Sequence, residues 1–310
     1  MIDNVAPFVP QFSIVIPVHN RADKILPTLN SVRNQTLQDF ECIIVDDGST
    51  DAAVLKELIE RLEDKRFKYI WQENGGGGAA RNAGILAACG RYIAFLDSDD
   101  LFLPTKLEVY KKYLSVDPLR ALYSFMYVDR GVDRLWIRPD RAIRPDEDMG
   151  EYLFVYNQFI QTSTIALARE TAVATLFNPD LRKGQDLDFC LRLHQRGVRF
   201  DMVPEPLTVW VDQTESGRAS RTKGYEAPLA WLEKSRKMLT PRAEAGYRAT
   251  VLFYYMAKHK PFRALLDLWR GGLAGVPLRI LARQFLRGFL PKGVYRLLVD
   301  QFVSISGRKP

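Results

Sequence analysis

Short apolar runs alternate with polar, helix-patterned stretches through the first third of the chain. Residues 12–17 (Phe-Ser-Ile-Val-Ile-Pro) and Glu41–Asp46 are continuous apolar runs of strand length, the pattern of strands buried on both faces. Phe67–Trp71 and Arg91–Leu96 predict two more. Between them the spacing predicts helices over Ala22–Gln35, Asp51–Glu63 with a Thr50/Asp51 cap, and Ala79–Cys89. Pro104 is placed to open a fourth, running to about Leu114. Four such alternations with short connections predict an α/β fold with a mostly parallel, Rossmann-like sheet and helices on both faces. From about residue 120 to 211 the alternation gives way to mixed strands and two helices, one starting at Gln185 and ending near Arg196. Beyond Gly224 the chain reads as helical, punctuated by Pro241, Pro261, Pro277 and Pro291. A catalytic domain over residues 1–224 and a basic helical region over 225–310 are therefore expected.

In such sheets ligands lie beyond the carboxyl ends of the strands, and three polar clusters fall there. Pro17-Val18-His19-Asn20 follows the first strand, Asp46-Asp47-Gly48-Ser49 the second and Asp97-Ser98-Asp99-Asp100 the fourth. Carboxylates at the end of a buried strand suit a hard divalent cation bound with substrate phosphates. The same residues also suit a solvated turn before a helix, and the motif alone leaves both readings open. The glycine run Gly75–Gly78 opens a helix carrying Arg81. Helix N-termini and glycine turns can hold phosphate, but the run is neither the dinucleotide fingerprint nor a Walker loop. Asp186 and Asp188 lie in the first turn of a helix, where acids commonly complement the dipole.

Composition narrows the class. The 310 residues, 47% hydrophobic, can build a full core. Cys42, Cys89 and Cys190 are scattered and odd in number, which favours a reducing cytosol over a disulfide framework. The first residues carry no leader pattern, and no run reaches the length of a membrane span. The three histidines form no cluster.

The ordered blocks together are more specific than any one of them. Ser13–Asn20, Ile43–Asp51, Ala80–Gly84 and Ala94–Asp100 resemble, in order and spacing, the inverting family 2 glycosyltransferases, whose catalytic domain has the glycosyltransferase A fold. The likeness extends over about residues 12–212. It implies a nucleotide-sugar donor, commonly a UDP-sugar, a glycan or lipid-linked hydroxyl acceptor, and bacterial cell-surface glycan assembly. By position, Asp47 would contact the base, with His19 stacked on it and Pro17, Asn20 and Asp46 beside it. Asp97 and Ser98 would lie near the ribose, and Asp97 and Asp99 would hold Mg²⁺ or Mn²⁺. Arg81 is a potential diphosphate partner. Asp186 falls where the family keeps its catalytic base, although the preceding acid is here Gln185. At Val211-Asp212-Gln213 the arginine and histidine of many relatives are missing, so no histidine metal ligand is expected. A dehydrogenase would need glycines after the first strand, and a processive synthase would need membrane spans. A non-catalytic module of the same fold is the alternative.

The net charge of +7 is concentrated at the end of the chain. Met256–Pro310 holds eleven Lys and Arg against two acids, leaving the rest weakly acidic. Between Val276 and Leu290, Leu278, Leu281, Phe285 and Phe289 form an apolar helical stripe, and Arg279, Arg283 and Arg287 form a cationic row. Two readings stand: a helix packed on the catalytic domain, or an interfacial helix on an anionic membrane, as for a cytoplasmic enzyme peripheral to the inner face of the plasma membrane. Nothing in the sequence supports a nucleic-acid partner. Asp212–Gly224, with Arg218, Arg221 and Lys223, is polar enough to serve as a lid over substrate.

Overall fold

The computed structural model describes residues 9–212 and 224–307. In chain order the elements begin β1 (Phe12–Val18), α1 (Leu26–Arg33), β2 (Phe40–Asp47), α2 (Ala52–Glu60), β3 (Phe67–Gln72), α3 (Gly77–Ala87), β4 (Tyr92–Phe95), β5 (Leu101–Phe102) and α4 (Lys106–Tyr113). There follow β6 (Arg120–Asp129), β7 (Trp136–Arg138), β8 (Ala166–Ala168), α5 (Arg169–Thr175), α6 (Gln185–Gln195) and β9 (Arg199–Val211). The remaining helices are α7 (Glu226–Ser235), α8 (Pro241–Tyr247), α9 (Phe253–Met256), α10 (Pro261–Leu273), α11 (Leu278–Phe289) and α12 (Lys292–Ser306).

Two compact units divide the chain. The first comprises residues 1–126, 161–189 and 198–211; the second comprises 127–160, 190–197 and 212–310. The second therefore takes two segments from within the first 224 residues as well as the tail.

The sheet runs in the order β3-β2-β1-β4-β8-β6-β9-β5, with β7 paired to β6. β1, β2, β3 and β4 pair in parallel, with Phe12 opposite both Phe40 and Tyr92. β8 then joins β4 antiparallel, as β5 joins β9. The α/β class predicted from the pattern holds, and the loss of alternation after residue 120 corresponds to this antiparallel half. β1 and β2 are buried along almost their whole length, which is why they read as unbroken apolar runs. One apolar layer packs Ile14, Ile16, Ile25, Leu29, Ile44 and Leu55 together with Leu107 and Tyr110. α3 can approach β1 closely because Gly84 has no side chain; a Cβ there would lie 2.3 Å from Val15 Cγ1.

Local differences from the predicted elements have identifiable causes. The helix expected from Ala22 begins only at Leu26, after a series of turns. Asp51 does not cap α2 with its side chain; its Oδ2 accepts from the Ala22 amide at 2.8 Å, tying the turn after β1 to the start of α2. Pro104 precedes rather than opens α4, which begins at Lys106 behind Thr105. Four of the prolines beyond Gly224 mark helix starts. Pro241 and Pro261 occupy first-turn positions, where a missing N–H costs nothing, and Pro277 and Pro291 immediately precede α11 and α12.

Candidate functional site

The carboxyl ends of β1 and β2 are fastened together by polar side chains. Asn20, held at φ 53°, accepts through Oδ1 from the Thr50 amide at 2.7 Å, and its own amide donates to Ser49 Oγ at 2.9 Å. Asp46 is fully buried; it accepts from the Ser49 amide at 2.9 Å and from the Tyr69 hydroxyl at 2.7 Å. Asp47 accepts from the amides of Gly75 and Gly76, both at 2.8 Å, and from Gln72 Nε2 at 2.7 Å. A carboxylate bound by successive backbone amides fixes a turn. Gly76, at φ 87°, and Gly48, at φ 68° with a hypothetical Cβ only 2.8 Å from the Asn74 amide, admit no other residue without strain. The glycine run is thus shaped by Asp47 and then opens α3. His19 Nδ1 lies 2.9 Å from the Asp47 carbonyl and Nε2 lies 3.1 Å from Asn20 Nδ2. Both contacts are satisfied if Nδ1 carries the proton and Nε2 accepts. Pro17 stands in register with Val45 in the strand pair beneath.

A second cluster forms where β4 ends. Asp97 accepts from Arg81 at 2.5 Å and from Gln161 Nε2 at 3.1 Å. Arg81 is buried, lies over the Phe177 ring, and donates to Gln185 Oε1 at 2.5 Å. Arg81 therefore links the end of β4 to the start of α6. Asn82, the next residue of α3, exchanges two hydrogen bonds with the Phe177 backbone at 2.9 and 2.7 Å, and Phe177 stacks on Phe189 of α6. Asp186 sits one residue into α6, where one carboxylate oxygen accepts the Leu187 amide at 3.0 Å. Its carboxyl is pushed up to about 6, chiefly by burial and further by the negative charge of Asp97; the Leu187 amide and Arg81 oppose this without cancelling it. Desolvation thus outweighs the helix N-terminus, which on its own would hold the group low.

Asp99 pairs with Arg21, 3.3 Å away. Ser98 is buried, and its carbonyl accepts from the Thr28 hydroxyl. Asp100 is fully buried, bound by Gln161 Nε2 at 2.7 Å and Ser163 Oγ at 2.6 Å. Burial, with Asp97 and Asp99 close by, pushes its carboxyl well above the ordinary range. Lys106 is also fully buried. Its Nζ donates to the Ser163 carbonyl and to Thr208 Oγ1, both at 2.8 Å, and burial lowers its pKa well below normal.

The structure therefore ties Arg81, Asp97 and Gln185 into one network, with Asp186 within electrostatic reach of Arg81 and Asp97, and brings Asn20, Asp46, Asp47 and His19 into another. Asp97 and Asp99 each face an arginine. Among the described residues no group of three or more His, Cys, Asp or Glu is set to hold a metal ion. The sequence did not single out Arg21, Lys106, Gln161 or Ser163. Arg130 holds Asp212 at 2.6 Å and also reaches Asp300 at 2.7 Å. The lid expected over Asp212–Gly224, with Arg218, Arg221 and Lys223, lies outside the described residues apart from its two ends.

Comparison with known proteins adds independent evidence. The family described as Glycosyl transferase family 2 matches residues 13–177. The amylovoran biosynthesis glycosyltransferase AmsB of Erwinia amylovora is 33% identical over 270 residues, covering 84% of this chain and 89% of that one. Among solved structures, S. aureus TarS 1-349 in complex with UDP-GlcNAc aligns with a TM-score of 0.57 at 18% identity, over 94% of this chain and 91% of that one. The mannosyltransferase PcManGT of Pyrobaculum calidifontis, in complex with GDP-Man and Mn²⁺, aligns with a TM-score of 0.56 at 15% identity, over 97% and 88%.

Proposed function

The chain belongs to glycosyl transferase family 2 and is a glycosyltransferase; on that premise we propose that it transfers a sugar from a nucleoside-diphosphate sugar, with UDP as the nucleotide, to a hydroxyl of a glycan or lipid-linked acceptor, inverting the anomeric centre. The setting is assembly of a cell-surface polysaccharide, in keeping with the relative named for amylovoran biosynthesis, in an enzyme of the cytoplasmic side peripheral to an anionic membrane surface.

The observation that carries the reading is Asp186, a carboxyl raised to about 6 beside Arg81 and Asp97 at the carboxyl edge of the sheet. A base with a pKa near the working pH combines availability with proton affinity. As the acceptor oxygen forms its bond to the anomeric carbon, Asp186 takes the hydroxyl proton, and the bond from that carbon to the diphosphate oxygen breaks on the opposite face. Arg81 offers positive charge to the departing diphosphate. The loops of His19, Asn20 and Asp47 hold the nucleoside, with Asp47 shaping the glycine turn through its bonds to Gly75 and Gly76.

The donor chemistry of Asp97 and Asp99 fits a hard divalent ion, since both offer carboxylate oxygens that are partly open to solvent. In this reading they would hold Mg²⁺ or Mn²⁺, which would supply electrostatic stabilisation of the leaving diphosphate. Arg81 and Arg21, which now balance these carboxylates, would then be freed toward phosphate.

Asp186→Asn tests the assignment. The amide accepts no proton at neutral pH, so donor affinity measured by calorimetry should change little while transfer falls by about 10²–10⁴-fold. Near-normal transfer by this variant, with loss on Asp188→Asn instead, would move the role to Asp188.

A further inference from the structure

The helices of the second unit carry more exposed apolar surface than a packed bundle leaves in water. On α10, Phe262 (87% exposed), Leu265, Leu266, Trp269 (62%) and Leu273 (71%) face solvent. Their spacing confines them to about 100° of the helix. Ala264, Asp267 and Gly271 are the buried residues of the same helix. α11 packs on α10 and α12 on α11, and both repeat the pattern. Leu278, Phe285, Leu286 and Phe289 are exposed on the first, and Val294, Leu297, Leu298, Phe302 and Ile305 on the second. Of the stripe anticipated on α11, only Leu281 turns inward, against Val276 and Ile280. None of these helices is long and apolar enough to cross a membrane; at 1.5 Å per residue they measure about 18–22 Å.

Beside the α10 stripe is an open pocket of about 310 Å³ lined by Arg236, Glu244, Arg248, Arg263, Asp267 and Arg270. Four guanidinium groups face two carboxyls. Glu244 is already bound by Arg236 at 2.8 Å and by Arg248 at 2.9 Å. Arg263 and Arg270, seven residues apart on one side of α10, make no ion pair among the described residues. Asp267 is buried, and its Oδ2 finds no hydrogen-bond partner there. Burial raises this carboxyl, while Arg248, Arg263 and Arg270 nearby oppose the rise.

We propose that this pocket is a headgroup site: α10 lies at the boundary of an anionic bilayer with its apolar stripe below, and Arg263 and Arg270 close on a lipid phosphate. The proposal rests on the membrane-surface reading above and adds the residues that recognise the lipid. Charge complementarity selects the occupant. An apolar stripe edged by arginines matches acyl chains beneath phosphates, whereas a second copy of this basic face would meet like charge.

The test is cosedimentation of the full chain with vesicles of phosphatidylcholine, alone or with phosphatidylglycerol, at low and physiological salt. Wild type should pellet with the anionic vesicles, less so as salt rises. Arg263→Gln/Arg270→Gln should weaken binding by about thirtyfold, and by clearly more than the charge-matched control Arg279→Gln/Arg287→Gln. Phe262→Ser/Trp269→Ser should release the protein from every vesicle. Equal loss in the two arginine pairs would reduce the pocket to general surface charge and overturn it, while leaving membrane binding intact. Failure of wild type to bind even at low salt would sink the membrane reading as well. Stabilisation by inorganic phosphate without vesicle binding would assign the pocket to a soluble anion, and a concentration-dependent dimer that shields Trp269 would assign the stripe to a second copy; either result overturns the proposal.

Discussion

At the residue scale, the most informative side chains are those whose environment opposes their ordinary charge. Asp186 was legible as a candidate from its place in the resemblance, but its basicity was not. That depends on burial and on Asp97, 89 positions away in the chain. The sign of the resulting pH dependence is definite. Below about 6 Asp186 is protonated and cannot accept the acceptor's proton; above it the base is free. The rate of transfer at saturating donor should therefore climb roughly tenfold per pH unit up to about pH 6 and then level off, a profile read directly from initial rates. A profile flat from pH 5 to 8 would remove Asp186 from the proton transfer. Asp47 offers the converse lesson. Its position at the strand end was readable, yet its carboxylate is engaged by Gly75 and Gly76, because only the folded chain shows where those amides point. Gln161, Ser163 and Lys106 left no local signal. They are polar residues in no motif, and the partners that tie them into the site lie 57 to 102 residues away.

At the element scale, the parallel half of the sheet was legible and the rest less so, for one physical reason. β1, β2 and β4 are buried on both faces and apolar along their centres, which leaves an unmistakable run. β8 has three residues and β5 two, too short to show any period. Helix boundaries were blurred where a capping side chain was drawn elsewhere, as Asp51 is by Ala22. Packing between elements makes its own prediction. Gly84→Ala puts a methyl group 2.3 Å from Val15 Cγ1, between α3 and β1. Such overpacking typically costs about 1–3 kcal/mol, more than the better helix propensity of alanine returns. Denaturant unfolding should show the loss, and a variant as stable as wild type would mean that α3 moves off β1 freely.

At the scale of the whole molecule, the charge imbalance toward the tail was visible in composition, and the region beyond Gly224 read as helical, punctuated by its prolines. The α10 stripe was equally present in the sequence as Phe262, Leu265, Leu266, Trp269 and Leu273, but an apolar helical face reads by default as core-facing, and only coordinates show it exposed. The central claim is that the chain moves a sugar off a nucleoside diphosphate with inversion, and water can stand in for an unknown acceptor. The most direct measurement is proton NMR of the full-length protein with Mn²⁺ and a panel of UDP-, GDP- and dTDP-sugars, following the sugar first released. The account predicts nucleoside diphosphate formation from a UDP-sugar and a nascent sugar whose anomeric configuration is opposite to that of the donor. Release with the donor's own configuration, or no release from any donor above the spontaneous rate, would contradict it.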